Sequence, residues 1–235
     1  MNLLKSIICA GTLMIVTATL VAAEDGNDMN MRTRPEVLFQ QNKYEEINQL
    51  VEESFVCLKR DQDSGDIDAL VSIGEAAIAA APKNDHAYSI FFAVTKRLID
   101  YSPDDPETRL AIYSAQSRLV AKLLAERHVI EGAPEQTRQQ AKAMLGEFLE
   151  NIESRIIPDY QPRQVYVNVP PPVVTSVSER IGFNPGSVED PVVRQQWEKA
   201  IEDNKRNALM NKEQQVLVRM KREYESRISS FIKGQ

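Results

Sequence analysis

Cysteine is almost missing from this 235-residue chain, which has two, Cys9 and Cys57. Cys9 lies inside an apolar N-terminal run, so a product trimmed after that run keeps Cys57 alone and no intrachain disulfide can staple it. Its stability must then come from apolar packing. Cys57 falls on the flank of an apolar helical face and reads as a buried small hydrophobe. Histidine is equally sparse. His86 and His128 fall in separate segments, and neither belongs to an HExxH or other closely spaced ligand pattern. His86 reads as a first-turn polar residue, and His128 as a helix-end group favoured by the helix dipole. The chain has no P-loop, no dinucleotide fingerprint and no serine elbow, so no motif points to nucleotide, hydride or acyl-transfer chemistry. No catalytic residue, metal ligand or cofactor is indicated. Carboxylates from distant positions can still meet in a cleft, as glycoside hydrolysis requires, and an envelope enzyme with a carboxylate-lined cleft is the alternative reading.

The one dense carboxylate group, Asp61, Asp63, Asp66 and Asp68, offers the hard oxygens that calcium takes. Its order is wrong for an EF-hand loop. Counting from Asp61, Gly65 arrives one position early and Ser72 stands where a bidentate glutamate belongs. The segment reads as a solvated turn ending in a helix cap supplied by Asp66.

The beginning of the chain carries an address. Lys5 is the only charge before an apolar run from Ile7 to Val21, and Val21-Ala22-Ala23 is followed at once by Glu24 and Asp25. That order reads as a secretory signal over residues 1–23, cleaved after Ala23, and predicts a periplasmic or secreted protein with no membrane span after cleavage. An uncleaved anchor is the rival, because a helix from Ile7 to Ala23 just reaches across a thin bilayer. The charge bias places the body outside the cytoplasm either way. Removing Lys5 with the signal leaves 27 Lys plus Arg against 34 Asp plus Glu. Residues 24–132 hold 12 basic and 20 acidic groups, whereas residues 191–235 hold 10 and 6. Export, net acidity and scattered basic residues together argue against nucleic acid as a partner.

Beyond a polar, flexible leader over 24–35, helical periodicity dominates 36–158. Tyr44, Ile47, Val51, Phe55 and Leu58 share one stripe. Ile67, Leu70, Val71, Gly74, Ala77, Ile78 and Ala81 form a second face whose small residues let another helix approach closely. A third helix is apolar over a wide arc, from Ala87, Tyr88, Phe91 and Phe92 to Val94, Thr95, Leu98 and Ile99. Asp105 and Pro106 form a cap-and-start pair for a fourth, with Ile112, Ala115, Leu119 and Leu123 inward. A turn at Gly132 and Pro134 leads to a fifth, which carries Ala141, Met144, Leu145, Phe148, Ile152 and Ile156 before Pro158 stops it.

Residues 159–189 form a proline-containing connector, in which Val165–Val169 alternates weakly like a strand and Pro170-Pro171-Pro172 favours polyproline II. The C-terminal helical region, 190–235, shows two heptad series. One is Trp197, Ile201, Asn204, Ala208 and Asn211; the other is Leu217, Met220, Tyr224, Arg227 and Phe231. They do not join in register, which predicts a break or stutter near Leu209–Glu213, a place for two helices to turn into a hairpin.

The phrases Ala81-Pro82-Lys83-Asn84-Asp85 and Ser102-Pro103-Asp104-Asp105-Pro106 resemble junctions of tetratricopeptide-type helical repeats, over roughly residues 66–130. The resemblance implies a helical-hairpin array. Pro82 and Pro103 are closer together than that repeat's period of about 34 residues, so any such array is degenerate. The expected fold is all-α, either an irregular helical bundle or a degenerate hairpin array. The expected function is that of an exocytoplasmic structural or protein-interaction module, with a protein partner or self-association. Tyr166, Pro170, Pro171, Pro172 and Trp197 are its candidate interaction residues.

Overall fold

The computed structural model describes residues 34–166 and 191–234; the signal, most of the leader and Pro170–Pro172 lie outside the described residues. Pro35 opens α1 (Pro35–Gln40), which buries Leu38 and Phe39. Asn42, at φ 57°, turns the chain into α2 (Tyr44–Asp61), where Ile47, Val51 and Leu58 face inward. Cys57 is part-buried rather than buried, with the Arg60 guanidinium 3.8 Å from its sulfur. It sits one residue off the inward stripe, between exposed Val56 and buried Leu58. Gln62 ends α2 in the left-handed conformation and donates its N–H to the Leu58 carbonyl.

α3 (Ser64–Ala80) starts earlier than the sequence pattern suggests. Its cap is Asp63, whose carboxylate accepts the Gly65 N–H at 2.9 Å, while Asp66 already lies inside the first turn. The inward face of α3 contains the residues expected of it from Ile67 to Ile78, with Ile73 and Ala76 added, while Ala81 is buried just beyond its end. A 3-10 turn over Ala81–Lys83 leads to α4 (Asp85–Asp100), which is buried over a wide arc, as its sequence predicts. α5 (Pro106–Ala125) opens on the Asp105-Pro106 device: one Asp105 oxygen accepts both the N–H and the hydroxyl of Thr108 at 2.7 Å. A short α6 (Arg127–Glu131) replaces a plain turn before α7 (Glu135–Arg155). The last element, α8 (Pro191–Lys233), is one uninterrupted helix of 43 residues, with no break or hairpin near Leu209–Glu213.

The chain is an all-α helical bundle, with no strand among the described residues. Tyr166 and Val165 carry no strand ladder. α3 packs against α1, α2, α4 and α5, and the ring beside it is closed by α4, α5, α8 and α7 in turn. Gly74 explains how α3 and α5 come so close: a Cβ there would lie 2.8 Å from a Leu119 methyl. Burial of Ile112, Leu119, Leu123, Leu145, Phe148, Ile152, Leu217 and Ile228 puts the core through the middle of that ring. Each apolar side chain removed from water there contributes about 1.5–3 kcal/mol, which is where a disulfide-free body finds its stability. No described helix is long and apolar enough to cross a membrane.

Cross-links fix the direction of α8. Glu107 meets Lys205 at 3.1 Å, Arg109 meets Glu213 at 2.8 Å and Ser117 meets Tyr224 at 2.8 Å, so α8 runs parallel to α5. The Arg155 carbonyl accepts from Gln214 at 3.1 Å and Glu153 meets Lys221 at 2.8 Å, so α8 runs antiparallel to α7.

Candidate functional site

At 3.6 residues per turn, α8 presents three stripes, each with its own task. The inward stripe holds Leu217, Met220, Tyr224, Ile228 and Phe231, all buried in the core. Tyr224 stands edge-on to Phe148 with ring centres 5.5 Å apart and donates its hydroxyl proton to the Ser117 carbonyl at 3.0 Å. Burial is the main reason its phenol pKa is raised.

Towards its N-terminal half the same stripe turns polar. Glu213 is 8% exposed, and its two oxygens accept from Arg109 Nε at 2.8 Å and Nη2 at 2.9 Å. The Tyr113 hydroxyl donates to the same carboxylate at 2.9 Å, and Arg155 Nη1 donates to Tyr113 at 3.2 Å. Burial raises the Tyr113 phenol, which keeps it a proton donor, and the Glu213 hydrogen bond raises Arg109. This knot ties α5, α7 and α8 together at the point where the heptad pattern loses register. The seam does not stop there; two of its positions, Glu213 and Gln214, are polar because polar partners wait opposite them.

The second stripe holds the chain that leaves α7. From Ile156 to Tyr166 this segment, the strap, runs along α8 in the opposite direction, and α8 grips its backbone with side-chain amides. Gln214 accepts from Ile157 N at 2.9 Å while donating to the Arg155 carbonyl. Asn211 accepts from Arg163 N at 2.8 Å and donates to the Arg163 carbonyl at 2.8 Å. Asn204 does the same for Tyr166, at 2.8 Å and 3.0 Å. Tyr160 adds a hydroxyl bond to Asn211 at 2.7 Å, and Arg163 reaches Asn207 at 3.3 Å. The spacing has a simple cause. Seven helical residues from Asn204 to Asn211 rise about 10.5 Å, and the three extended residues from Arg163 to Tyr166 cover about 10 Å. One amide per heptad therefore meets every third residue of the strap.

Most of these bonds use backbone groups, so apart from Ile156, Tyr160 and Arg163 the strap's side chains are left largely to solvent. Val165 is 42% exposed, Tyr166 44% and Ile157 44%. Tyr166 was singled out by sequence as an interaction residue, and its side chain is presented outward. Trp197, singled out with it, is buried at 7% exposure, one heptad before Asn204. The structure does not describe Pro170, Pro171 and Pro172. Sequence reasoning passed over Asn204, Asn211, Gln214, Glu213 and Arg109. Asn204 and Asn211 look like flaws in a coiled-coil seam; their heptad spacing was the available signal for a backbone grip.

The third stripe faces α5 across an open groove of about 890 Å³. Leu110, Ala111, Leu209, Val216 and Met220 supply its apolar surface. Among its charged residues, Glu107 pairs with Lys205, Glu223 with Arg227, and Arg118 with Glu75. No ion pair is made by Lys212 or Arg219 among the described residues.

Elsewhere the acidic turn does structural work. Asp61 accepts from Arg60, which lowers its pKa, and Asp63 caps α3. Burial and the charges of Asp63 and Asp61 raise Asp66. His86 lies 5.2 Å from the Tyr44 ring in the first turn of α4, and the His128 side chain is 77% exposed. Among the described residues, no cluster of three or more His, Cys, Asp or Glu could hold a metal ion. No family model, no curated protein and no solved structure matches this chain.

Proposed function

We propose that this chain is an exported protein-interaction module that works outside the cytoplasm and presents its strap to a partner protein. The observation that carries this reading is the grip of α8 on the strap, made mostly through the strap's backbone. Asn204 and Asn211 hold Tyr166 and Arg163 by N–H and C=O, while the side chains of Val165 and Tyr166 keep 42% and 44% of their surface exposed. A segment held this way is pre-ordered, so a partner that binds it is spared part of the entropy of fixing an extended chain. Tyr is also a side chain favoured at interfaces, because it offers a large apolar ring with a polar tip. Export is supported by Lys5, the apolar run and the Val21-Ala22-Ala23 boundary. The alternative, an enzyme with a carboxylate-lined cleft, draws no comparable support. The groove carboxylates Glu107 and Glu223 are both engaged in ion pairs.

Two measurements test the reading. A photo-crosslinking residue placed at Val165 in producing cells should capture a protein, whereas one at Val56 on α2, itself 60% exposed, should not. The double change V165S/Y166S should reduce capture by a neighbouring probe at Gln164 without altering the circular dichroism spectrum. Equal capture at positions 165 and 56, or none at either, rejects the strap as the docking element. Mass spectrometry of the extracytoplasmic protein should find Glu24 at its N-terminus; an intact chain confined to the cytoplasm rejects export.

A further inference from the structure

The groove between α5 and α8 lies on the opposite flank of α8 from the strap, beside the Glu107–Lys205 and Ser117–Tyr224 contacts. Its shape and its charge both say what fits. The floor is low because α5 places Ala111, Ser114, Ser117 and Ala121 along it, with taller Leu209, Val216 and Met220 on the α8 side. Beyond α5 the depression continues shallowly to Ile67, Asp68 and Val71 of α3. From Glu107 to Ala121 the lined stretch of α5 is about 21 Å long, or roughly four helical turns. An open trough of that length between two helices suits a third helix better than a compact ligand, in the helix-in-groove mode.

Charge narrows the choice. The chain as a whole carries a formal net charge of −6. The groove is the reverse, because its two carboxylates are each matched by a cation while Lys212 and Arg219 are left unmatched among the described residues. Seven residues apart on α8, they stand on the same side of the trough, two turns from one another. Unpaired cations beside an apolar floor are complementary to a helix with an apolar face and acidic flanks.

We propose that the α5–α8 groove docks an acidic amphipathic helix, about four turns long, from a partner protein. Its apolar face rests on Leu110, Ala111, Leu209 and Val216, and its carboxylates meet Lys212 and Arg219. This site is separate from the strap, so a partner can engage either flank of α8 alone.

The test uses the whole exported protein and a designed 14-residue helical peptide with Leu and Ala on one face and Glu on its flanks. A second peptide carries Lys in place of Glu, and a third keeps the composition but scrambles the apolar face. Fluorescence anisotropy should show binding of the Glu peptide alone, weakened at least tenfold between 20 and 300 mM salt. The double variant K212E/R219E changes two exposed side chains, so its helicity and unfolding midpoint should match the parent. It should lose the Glu peptide at least tenfold and gain the Lys peptide. Equal binding of all three peptides, no binding of the Glu peptide, or affinities unmoved by the charge reversal would each overturn the proposal. So would a sedimentation result in which the protein dimerises and K212E/R219E abolishes the dimer, because the groove is then covered by a second copy. The strap crosslinks at Val165 are read independently, so either proposal can fail without the other.

Discussion

At the scale of single residues, Glu213 carries the heaviest consequence. It is a carboxylate almost removed from water, matched by a bidentate guanidinium and a tyrosine hydroxyl. Such a pair adds little over a well-packed apolar substitute, but breaking one side leaves the other charge uncompensated. Arg109 keeps 20% of its side chain exposed, which lets water recover part of that loss. Glu213→Ala should therefore destabilise the protein by about 3 kcal/mol, a fall in Tm on the order of 10 °C for a chain of this size. R109M/E213L should recover most of the loss in urea unfolding; a double variant as weak as the single one removes the pairing argument. Asp105 makes a pH-dependent contribution. Its hydrogen bonds from the Thr108 hydroxyl and backbone hold its pKa below the ordinary 3.8. A carboxyl lowered by folding stabilises the native state fully above its unfolded value and loses that stabilisation as pH falls through the lowered one. Asp105→Ala should therefore cost about 1 kcal/mol at pH 7, as a lost helix cap does. The gap between parent and variant should begin to narrow as pH falls below 3.8 and close only below the lowered folded value, where the cap is protonated. A gap of constant size from pH 7 to pH 2 would contradict the assignment.

Elements differ in how plainly their sequences announce them. The long helices from Tyr44 to Arg155 show in the 3.6-residue period because each buries a mainly apolar stripe. The start of α3 was misplaced by three residues because several aspartates in the turn are chemically able to cap, and only backbone conformation selects Asp63. α8 carries the expected loss of register without breaking, for a deeper reason. Periodicity assumes that the inward face is apolar, whereas at Glu213 and Gln214 it meets Arg109, Tyr113 and the end of α7. At the strap, Tyr166 is conspicuous in the sequence, whereas the amides that hold it look there like gaps in a seam. Those amides give a prediction at this scale. Each neutral hydrogen bond of the grip is worth about 0.5–1.5 kcal/mol net, so the strap should peel off far more readily than α8 does. N204L/N211L should speed amide exchange at Arg163 and Tyr166 by at least tenfold while exchange in α4 and α5 stays unchanged. Slow exchange at Arg163 and Tyr166 in that variant would mean that something other than the amide row holds the strap.

For the molecule as a whole, the question is whether the helices before the strap can stand without α8. Their ring is open on one side without it. Leu217, Met220, Tyr224, Ile228 and Phe231 all sit in the same continuous core as Ile112, Leu145 and Phe148, and none forms a separate cluster. Removing α8 therefore exposes the inner faces of α5 and α7 together, and it leaves Arg109 and Tyr113 without the carboxylate they share. Local helix content does not depend on that loss, because α3 to α5 keep their own side-chain caps and α2 keeps its packing on α3. A chain ending at Asp190 should accordingly keep most of the far-ultraviolet helix signal per residue of its shortened length. It should also bind a hydrophobic dye and lose a sharp, cooperative urea transition, the behaviour of a compact state without fixed side-chain packing. A truncated chain that unfolds as cooperatively as the parent and binds no dye would show that the body closes its core alone. In that case α8 is an attachment laid over a finished bundle, and both its flanks would have to be reconsidered as surfaces free to leave the body. If the transition is lost, the strap and the groove stand on a helix that cannot detach without unfolding the protein. A partner gripping either flank is then coupled to the whole fold.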